Sequence, residues 1–545
     1  MPARYQLRRE QRAAGGAEAL NARVALWLVA AALLGLLAAG AGGVPLLDPD
    51  ESRFARTSVE MLRSGDLVLP RFGGEPRLVK PPLLHWVQVF VFGTVGIAEW
   101  SARLHAALAT LGSLLIVGWI GRRRFGDEGG AWAAVVFGTM PLVLVAGRVG
   151  TIDALLAVHV LAVIALDLAA PEGGYRASAA GALLGLAFLA KGPVGIVLPL
   201  VVVLAGRSAT GAEVMPSLRT VVHAVTAWCV VVLPWGVVFL RRVGPGTVLE
   251  LLRGEALDRY FVGTTHVEPP WFYLKVAVAG FLPWLSPLLL GSVRAWRRRA
   301  EPAARTALYA ACGLIAGTIF LSIGRGKEAS YLLPLAPLAA LVAGWEIARE
   351  QRSPAGRSRG TEWMAASAVA IAAGLAIAAA NLDAGEPRTV AMWGALAFVT
   401  AAFVAATARR RPPRAYAAAA AAAAITFAVA VALLLPAIGE RKSAAGLIRE
   451  VPALGTGRPL VTVEINVPSL SFYLDRRVEV IELDALDARL EQGDDPLFVL
   501  ADVDLAAAAH DRGARLRELG RHGKLVVLEK RAATPGGESA VAPPA

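Results

Sequence analysis

Immediately after its first long apolar stretch the chain reads Asp48-Pro49-Asp50-Glu51-Ser52-Arg53, three carboxylates and a guanidinium in close succession. A carboxylate with a cation beside it, held at a water boundary, can act as a general base or ligate a metal. Asp50, Glu51 and Arg53 are therefore candidates, against the simpler reading that Asp50 and Ser52 cap a helix through Phe54 to Leu62. Asp-x-Asp is short and no histidine cluster accompanies it, so no metal ligand is assigned and a divalent cation is only the second option. Further on, Lys80 opens the run Lys80-Pro81-Pro82-Leu83, where two prolines fix the backbone and aim the ammonium.

Only seven of the 55 basic residues are lysine, so where they sit carries information. Lys80, Lys191, Lys275 and Lys327 fall on loops or span ends that the topology below assigns to the outer side. Arg148 and Thr151 precede Asp153, which also suits the N-cap of the next helix. Gly324-Arg325-Gly326-Lys327, with Tyr331 after it, lacks the spacing and preceding strand of a P-loop. Its glycines still let the backbone approach an anion, with Arg325 and Lys327 beside it. His266, before Glu268 and Trp271, is a ligand, a base or an interfacial side chain. Fixed cations at that depth suit a phosphate whose lipid tail stays in the bilayer; the bland alternative is snorkelling to headgroups.

These residues hang on apolar elements. The chain has 545 residues, 56% of them apolar and 18% charged, and a mean hydropathy of +0.54, which excludes an ordinary soluble enzyme. The net charge of +12 sits between apolar runs, so it does not indicate nucleic acid. Windows long enough to cross as helices lie at about 24–44, 103–121, 130–146, 152–169, 177–191, 193–206, 219–240, 271–292, 306–323, 330–347, 363–381, 389–408 and 415–436. That predicts thirteen spans.

Pro82 to Ile97 is also apolar, and the positive-inside rule decides against its crossing. With Arg4, Arg8, Arg9 and Arg12 cytoplasmic, a non-crossing segment leaves the clusters at Arg122–Arg124, Arg294–Arg299, Arg349–Arg359 and Arg409–Arg414 inside; a crossing would turn all of them out. Residues 46–102 thus form one outer loop with an interfacial helix. The N-terminus is cytoplasmic, and residues 1–436 form the membrane part. Residues 437–545 are mixed in composition, with strand-like runs at 460–465, 478–481, 497–500 and 525–528 and a helical stretch at 505–519. They read as a small extracytoplasmic α/β domain with a disordered tail.

Several motifs in order resemble the lipid-linked sugar transferases of the GT-C class, nearest the ArnT-like aminoarabinose transferases and the related protein O-mannosyltransferases. They are Asp50-Glu51-Ser52-Arg53-Phe54-Ala55, Met61 to Asp66, Lys80 to Trp86, Thr151 to Ala154, Phe188 to Pro193, Leu233-Pro234-Trp235, Phe281 to Trp284, Lys327 to Pro334 and Pro468 to Leu474. The resemblance implies a polytopic GT-C-like fold with thirteen spans, in a bacterial inner membrane, and a polyprenyl-phosphate-linked sugar donor. The acceptor would be a lipid, such as lipid A, or a protein, with membrane lipids around it. Asp50 would be the essential carboxylate, Arg53 its neighbour and Lys80 the phosphate contact. Glu51, Arg148, Asp153, Lys191, His266, Arg325, Lys327 and Tyr331 would bind substrate. Val79 departs from the glutamate that ArnT-like members often carry before this lysine, which weakens any metal pairing of that position with His266. The reaction so implied needs no cofactor: an acceptor displaces the lipid phosphate at the anomeric carbon with inversion. The rival reading is a lipid or solute transporter without covalent chemistry, which would place its ionisable groups near the bilayer midplane.

Overall fold

The computed structural model describes residues 24–169, 174–251, 253–254, 266–352, 359–381, 386–407, 412–491, 498–502, 516–522 and 525–530. The arginines at 4–12, parts of the clusters near 353–358 and 408–411, most of the 505–519 stretch and the tail from 531 lie outside them. Contacts divide the chain into two units. The first holds residues 1–43, 61–70 and 76–435, and the second holds 44–60, 71–75 and 436–545. The segment 46–102, read as one loop, is therefore shared between two packing groups.

In the first unit, every apolar window carries helix. They are α1 (Val24–Ala38), then, after α2 (Asp50–Ser64) and α3 (Leu83–Val95), α4 (Glu99–Phe125), α5 (Asp127–Gly138), α6 (Pro141–Ala146), α7 (Asp153–Leu168), α8 (Gly174–Lys191), α9 (Val194–Thr210) and α10 (Leu218–Val243). The short α11 (Pro245–Leu251) precedes α12 (Phe272–Gly280), α13 (Leu285–Arg297), α14 (Pro302–Ile323), α15 (Ala336–Gln351), α16 (Arg359–Asn381), α17 (Glu386–Thr407) and α18 (Pro412–Arg441). Two windows are broken rather than continuous. α5 gives way to α6 at Thr139-Met140, and α12 meets α13 at 109° around Leu282-Pro283. Among the described residues, five helices are long and apolar enough to cross a membrane, six if the bent pair is one span. α3 has 13 residues, about 20 Å at ~1.5 Å per residue, well short of a hydrocarbon core of about 30 Å.

α15 forms the centre. The apolar window that it shares with the turn before it, within Ala329–Gln351, is 94% buried, as an all-round apolar helix must be, and Gly344 lets α15 approach the α5 backbone at Ala133. Its two buried carboxylates are consumed in pairs. Glu346 meets Arg294 of α13 and Arg349 (2.9 Å). Glu350 accepts from Arg294 (2.8 Å) and from the Tyr416 hydroxyl of α18 (2.7 Å).

The second unit is built on a five-stranded sheet. Its strands are β3 (Leu460–Val463), β4 (Glu479–Ile481), β5 (Phe498–Asp502), β6 (Leu516–His522) and β7 (Leu525–Lys530), after the small hairpin β1 (Arg71–Phe72) and β2 (Glu75–Pro76). Their order is β4-β3-β5-β7-β6, with β3 parallel to both neighbours and β5, β7 and β6 antiparallel. Side chains alternate between faces. Val461, Val463, Val526 and Leu528 pack with Leu486 of α21 (Leu486–Glu491). Leu460 and Val527 pack with Leu447 of α19 (Ala445–Glu450) and Leu470 of α20 (Pro468–Tyr473). One expectation is corrected here: Leu516 to Leu519 is strand, not the end of a helix. Pairing with β7 overrides the helical pattern of Leu516-Arg517-Glu518-Leu519.

Candidate functional site

A cavity of about 630 Å³ lies within the first unit, walled by α7, α8, α9, α10, α12 and α14 and by residues 78–81. Most of the lining is apolar, including Leu156, Phe188, Val194, Leu198, Trp235, Phe239 and Phe320. Its polar members are Lys80, Lys191, Tyr273 and Tyr331, with the backbone of Gly192, Gly324 and Gly326 beside them. An apolar chamber with a few cations is the environment an amphiphilic anion requires.

The local sequence explains the placement. α8 ends at Lys191 because Gly192 adopts a positive φ of 66°, donating its N–H to Phe188 O (2.7 Å), and Pro193 then starts α9. Lys191 is thereby held at the wall. Its ammonium pairs with the buried carboxylate of Asp153, in the first turn of α7, and stands 3.6 Å from the centre of the Tyr331 ring. Tyr273 is fully buried, and its hydroxyl has no hydrogen-bond partner among the described residues. Sequence reasoning missed it; the only signal was an aromatic after Pro269-Pro270 at the start of a span.

α10 forms one wall because α8 lets it come close. A Cβ on Gly181 would stand 2.0 Å from Ala224 O, and one on Gly185 would stand 2.9 Å from Val231. The other end of α10 is strapped. Asp66 accepts from Arg242 (2.7 Å) and from the backbone of Val68 and Leu69, while the indoles of Trp235 and Trp86 donate to Val68 O (3.2 Å) and Leu67 O (2.7 Å). Burial pushes the Asp66 carboxyl up, but these donors outweigh it and hold it below the usual range.

Four of the expected site residues therefore gather at this cavity: Lys80, Lys191 and Tyr331 in its wall, and Asp153 paired with Lys191. Others stand elsewhere. Arg148 is buried but donates to Ala39 O and is absent from the cavity wall. Arg325 is exposed. Lys327 is 3% exposed and donates to Glu268 O (2.8 Å), while its N–H bonds His266 O (2.9 Å). It stitches the 266–268 and 325–327 segments together instead of facing the cavity. Burial pushes its ammonium below the usual lysine range. His266 is exposed, with Glu328 at 3.5 Å. One imidazole and one carboxylate, with Val79 where a glutamate would stand, do not compose a metal site. Among the described residues no three His, Cys, Asp or Glu side chains group as one.

Asp50, Glu51 and Arg53 belong to the second unit. Glu51 is 2% exposed, and its carboxylate caps the turn by accepting from Leu47 N (2.9 Å), which gives it a structural task rather than a substrate to bind. Asp48 is held by Ser52 and Ser469, and burial pushes its carboxyl above the ordinary range despite those donors. Asp50 is the carboxylate of this turn left outermost, with Arg53 at 3.6 Å.

Residues 79–235 match the family model described as dolichyl-phosphate-mannose-protein mannosyltransferase. An undecaprenyl phosphate-alpha-4-amino-4-deoxy-L-arabinose arabinosyl transferase of Edwardsiella ictaluri is 31% identical over 314 residues, 55% of this chain and 55% of that protein. One from Sodalis glossinidius is 32% identical over 329 residues, 56% of each. The match thus spans a little over half the length of these curated relatives. The crystal structure of ArnT from Cupriavidus metallidurans bound to undecaprenyl phosphate aligns with a TM-score of 0.78 at 25% identity, over 94% of this chain and 99% of that one. The archaeal oligosaccharyltransferase AglB from Archaeoglobus fulgidus, at 11% identity and a TM-score of 0.54, shares the fold alone; 89% of this chain and 70% of that one are covered.

Proposed function

We propose that this ArnT-like, GT-C-fold membrane chain is a glycosyltransferase that moves a sugar from a polyprenyl phosphate to an acceptor at the extracytoplasmic face of a bacterial inner membrane. The observation that carries the reading is the cavity: apolar walls with Lys80 and Lys191 at them, in a chain whose fold matches a structure bound to undecaprenyl phosphate. An isoprenoid tail suits the apolar lining, and a phosphate suits the ammonium groups.

The chemistry follows. The acceptor oxygen attacks the anomeric carbon from the side opposite the phosphate; the carbon–oxygen bond to the lipid phosphate breaks with inversion, and the electron pair leaves on that phosphate. Lys80 stabilises the charge developing there, as preorganised cations do. Asp50, beside Arg53, takes the proton of a hydroxyl acceptor. When the acceptor is itself an ionised phosphate, as on lipid A, no proton need move and Asp50 only positions it. A protein acceptor is the second option. The transporter alternative asks for unsatisfied charge along a pathway. The buried Glu346 and Glu350 are instead paired, as is the half-buried Asp167, with Arg207 (2.6 Å) and the Tyr309 hydroxyl (2.7 Å).

Comparing envelope lipids and glycoproteins by mass spectrometry, with and without the gene, identifies the transferred sugar. Lys80→Met should then reduce that transfer about 100- to 1000-fold, the cost of removing one preorganised charge-stabilising group, with chain levels unchanged. Undiminished transfer by Lys80→Met would rule out its phosphate role.

A further inference from the structure

We propose that Ser469 and Tyr473, on α20 of the second unit, are positioning residues that fix the turn carrying Asp50. The inference rests on the reading of Asp50 as the group that deprotonates or orients the acceptor. It gives a task to the Pro468-to-Leu474 motif, which names no ligand of its own.

The turn is held by its own backbone and by the side chains on either side of Asp50. Ser469 is fully buried. Its N–H donates to Asp48 Oδ1 (2.8 Å), its hydroxyl donates to Asp48 Oδ2, and the same hydroxyl accepts from Ala444 N (2.8 Å). The Asp48 N–H donates to Lys442 O (2.7 Å), and the Tyr473 hydroxyl accepts from Leu46 N (2.8 Å). One turn into the helix, Arg56 reaches Asp475 (2.7 Å) and Glu60 (2.9 Å). The scaffold therefore consumes Asp48, Glu51, Ser52 and Arg56, and it leaves the Asp50–Arg53 pair outside its hydrogen bonds. A serine that donates twice to one carboxylate and accepts from a third residue fixes orientation far better than packing alone. A displacement of about 1 Å at a reacting group can cost about 100-fold in rate.

The test uses the full chain in its native membranes, with gene-dependent sugar incorporation as the rate and thermal melting as the check on folding. Ser469→Ala should lower the rate about 100-fold and Tyr473→Phe, which deletes one hydroxyl, about tenfold, while Ser469→Thr, which keeps the oxygen, restores most of the loss. In an Asp50→Asn background neither substitution should lower the residual rate further, because both act through Asp50. Folded Ser469→Ala and Tyr473→Phe chains with the wild-type rate, or with equal losses in the Asp50→Asn background, overturn the positioning role while leaving Asp50 in place. A wild-type rate in Asp50→Asn itself overturns the parent reading and this one with it. If Ser469→Ala does not accumulate, Tyr473→Phe decides alone.

Discussion

Lys80 and Lys191 line the same cavity. Lys191 is matched by Asp153 and stands over Tyr331, and Lys80 sits on a proline-stiffened segment at the wall. Lys191→Met should destabilise the chain by about 3–5 kcal/mol, because it strands the Asp153 carboxylate in a buried position. The double variant Lys191→Met/Asp153→Asn should recover much of that in thermal melts of the detergent-solubilised chain. Equal melting of the single and double variants would show that the pair is not coupled. The sequence made these residues legible through scarcity and spacing: few lysines, two prolines after one of them, a Gly-Pro after another. It could not separate Asp48, Asp50 and Glu51, since their fates depend on Leu47 N and Ser469, and Ser469 is distant in sequence. Nor could it distinguish Lys327, whose backbone and side chain both serve a loop crossing, from a lysine that faces a ligand.

The long apolar helices were readable as elements because hydropathy reports burial or lipid regardless of partner. Their breaks were not, since the α5–α6 and α12–α13 interruptions depend on what packs there, such as the Trp284 indole bonding Thr139 (3.0 Å). Four strands of the second unit coincide with the strand-like runs of the sequence, while Leu516 to Leu519 of β6 carry a helical pattern instead. β6 also carries His522, whose ring faces an acceptor on each side, the Glu450 carboxylate and the Glu440 carbonyl, both at 2.9 Å. Only the imidazolium donates to both. Burial lowers its pKa, yet these partners outweigh burial and raise it above the ordinary 6.5. Gly446 makes room for the ring. The stabilisation is therefore fully present below about pH 6.5 and is lost as pH rises through the raised value. Proteolysis of the second unit should accelerate over that interval in the wild type. His522→Gln should remove the dependence, and an unchanged pH profile in that variant would contradict it.

At the scale of the molecule, the chain divides its work between a helical unit that encloses the cavity and a second unit in which a sheet domain holds the first acidic turn. The general plan, many apolar helices followed by a small α/β domain, follows from composition and periodicity. The return of residues 44–60 and 71–75 to the C-terminal unit does not, because it is fixed by hydrogen bonds between residues over 400 positions apart, Leu46 with Tyr473 and Asp48 with Ser469. The cavity in the helical unit is the proposed seat of the polyprenyl phosphate. A photoreactive undecaprenyl phosphate, bound to the intact chain in nanodiscs and mapped by mass spectrometry, tests it most directly. Labelling should fall on Phe188 to Leu198 and Val232 to Leu240 and should be lost in Lys80→Met. Labelling confined to other helices, or undiminished in that variant, would contradict the account.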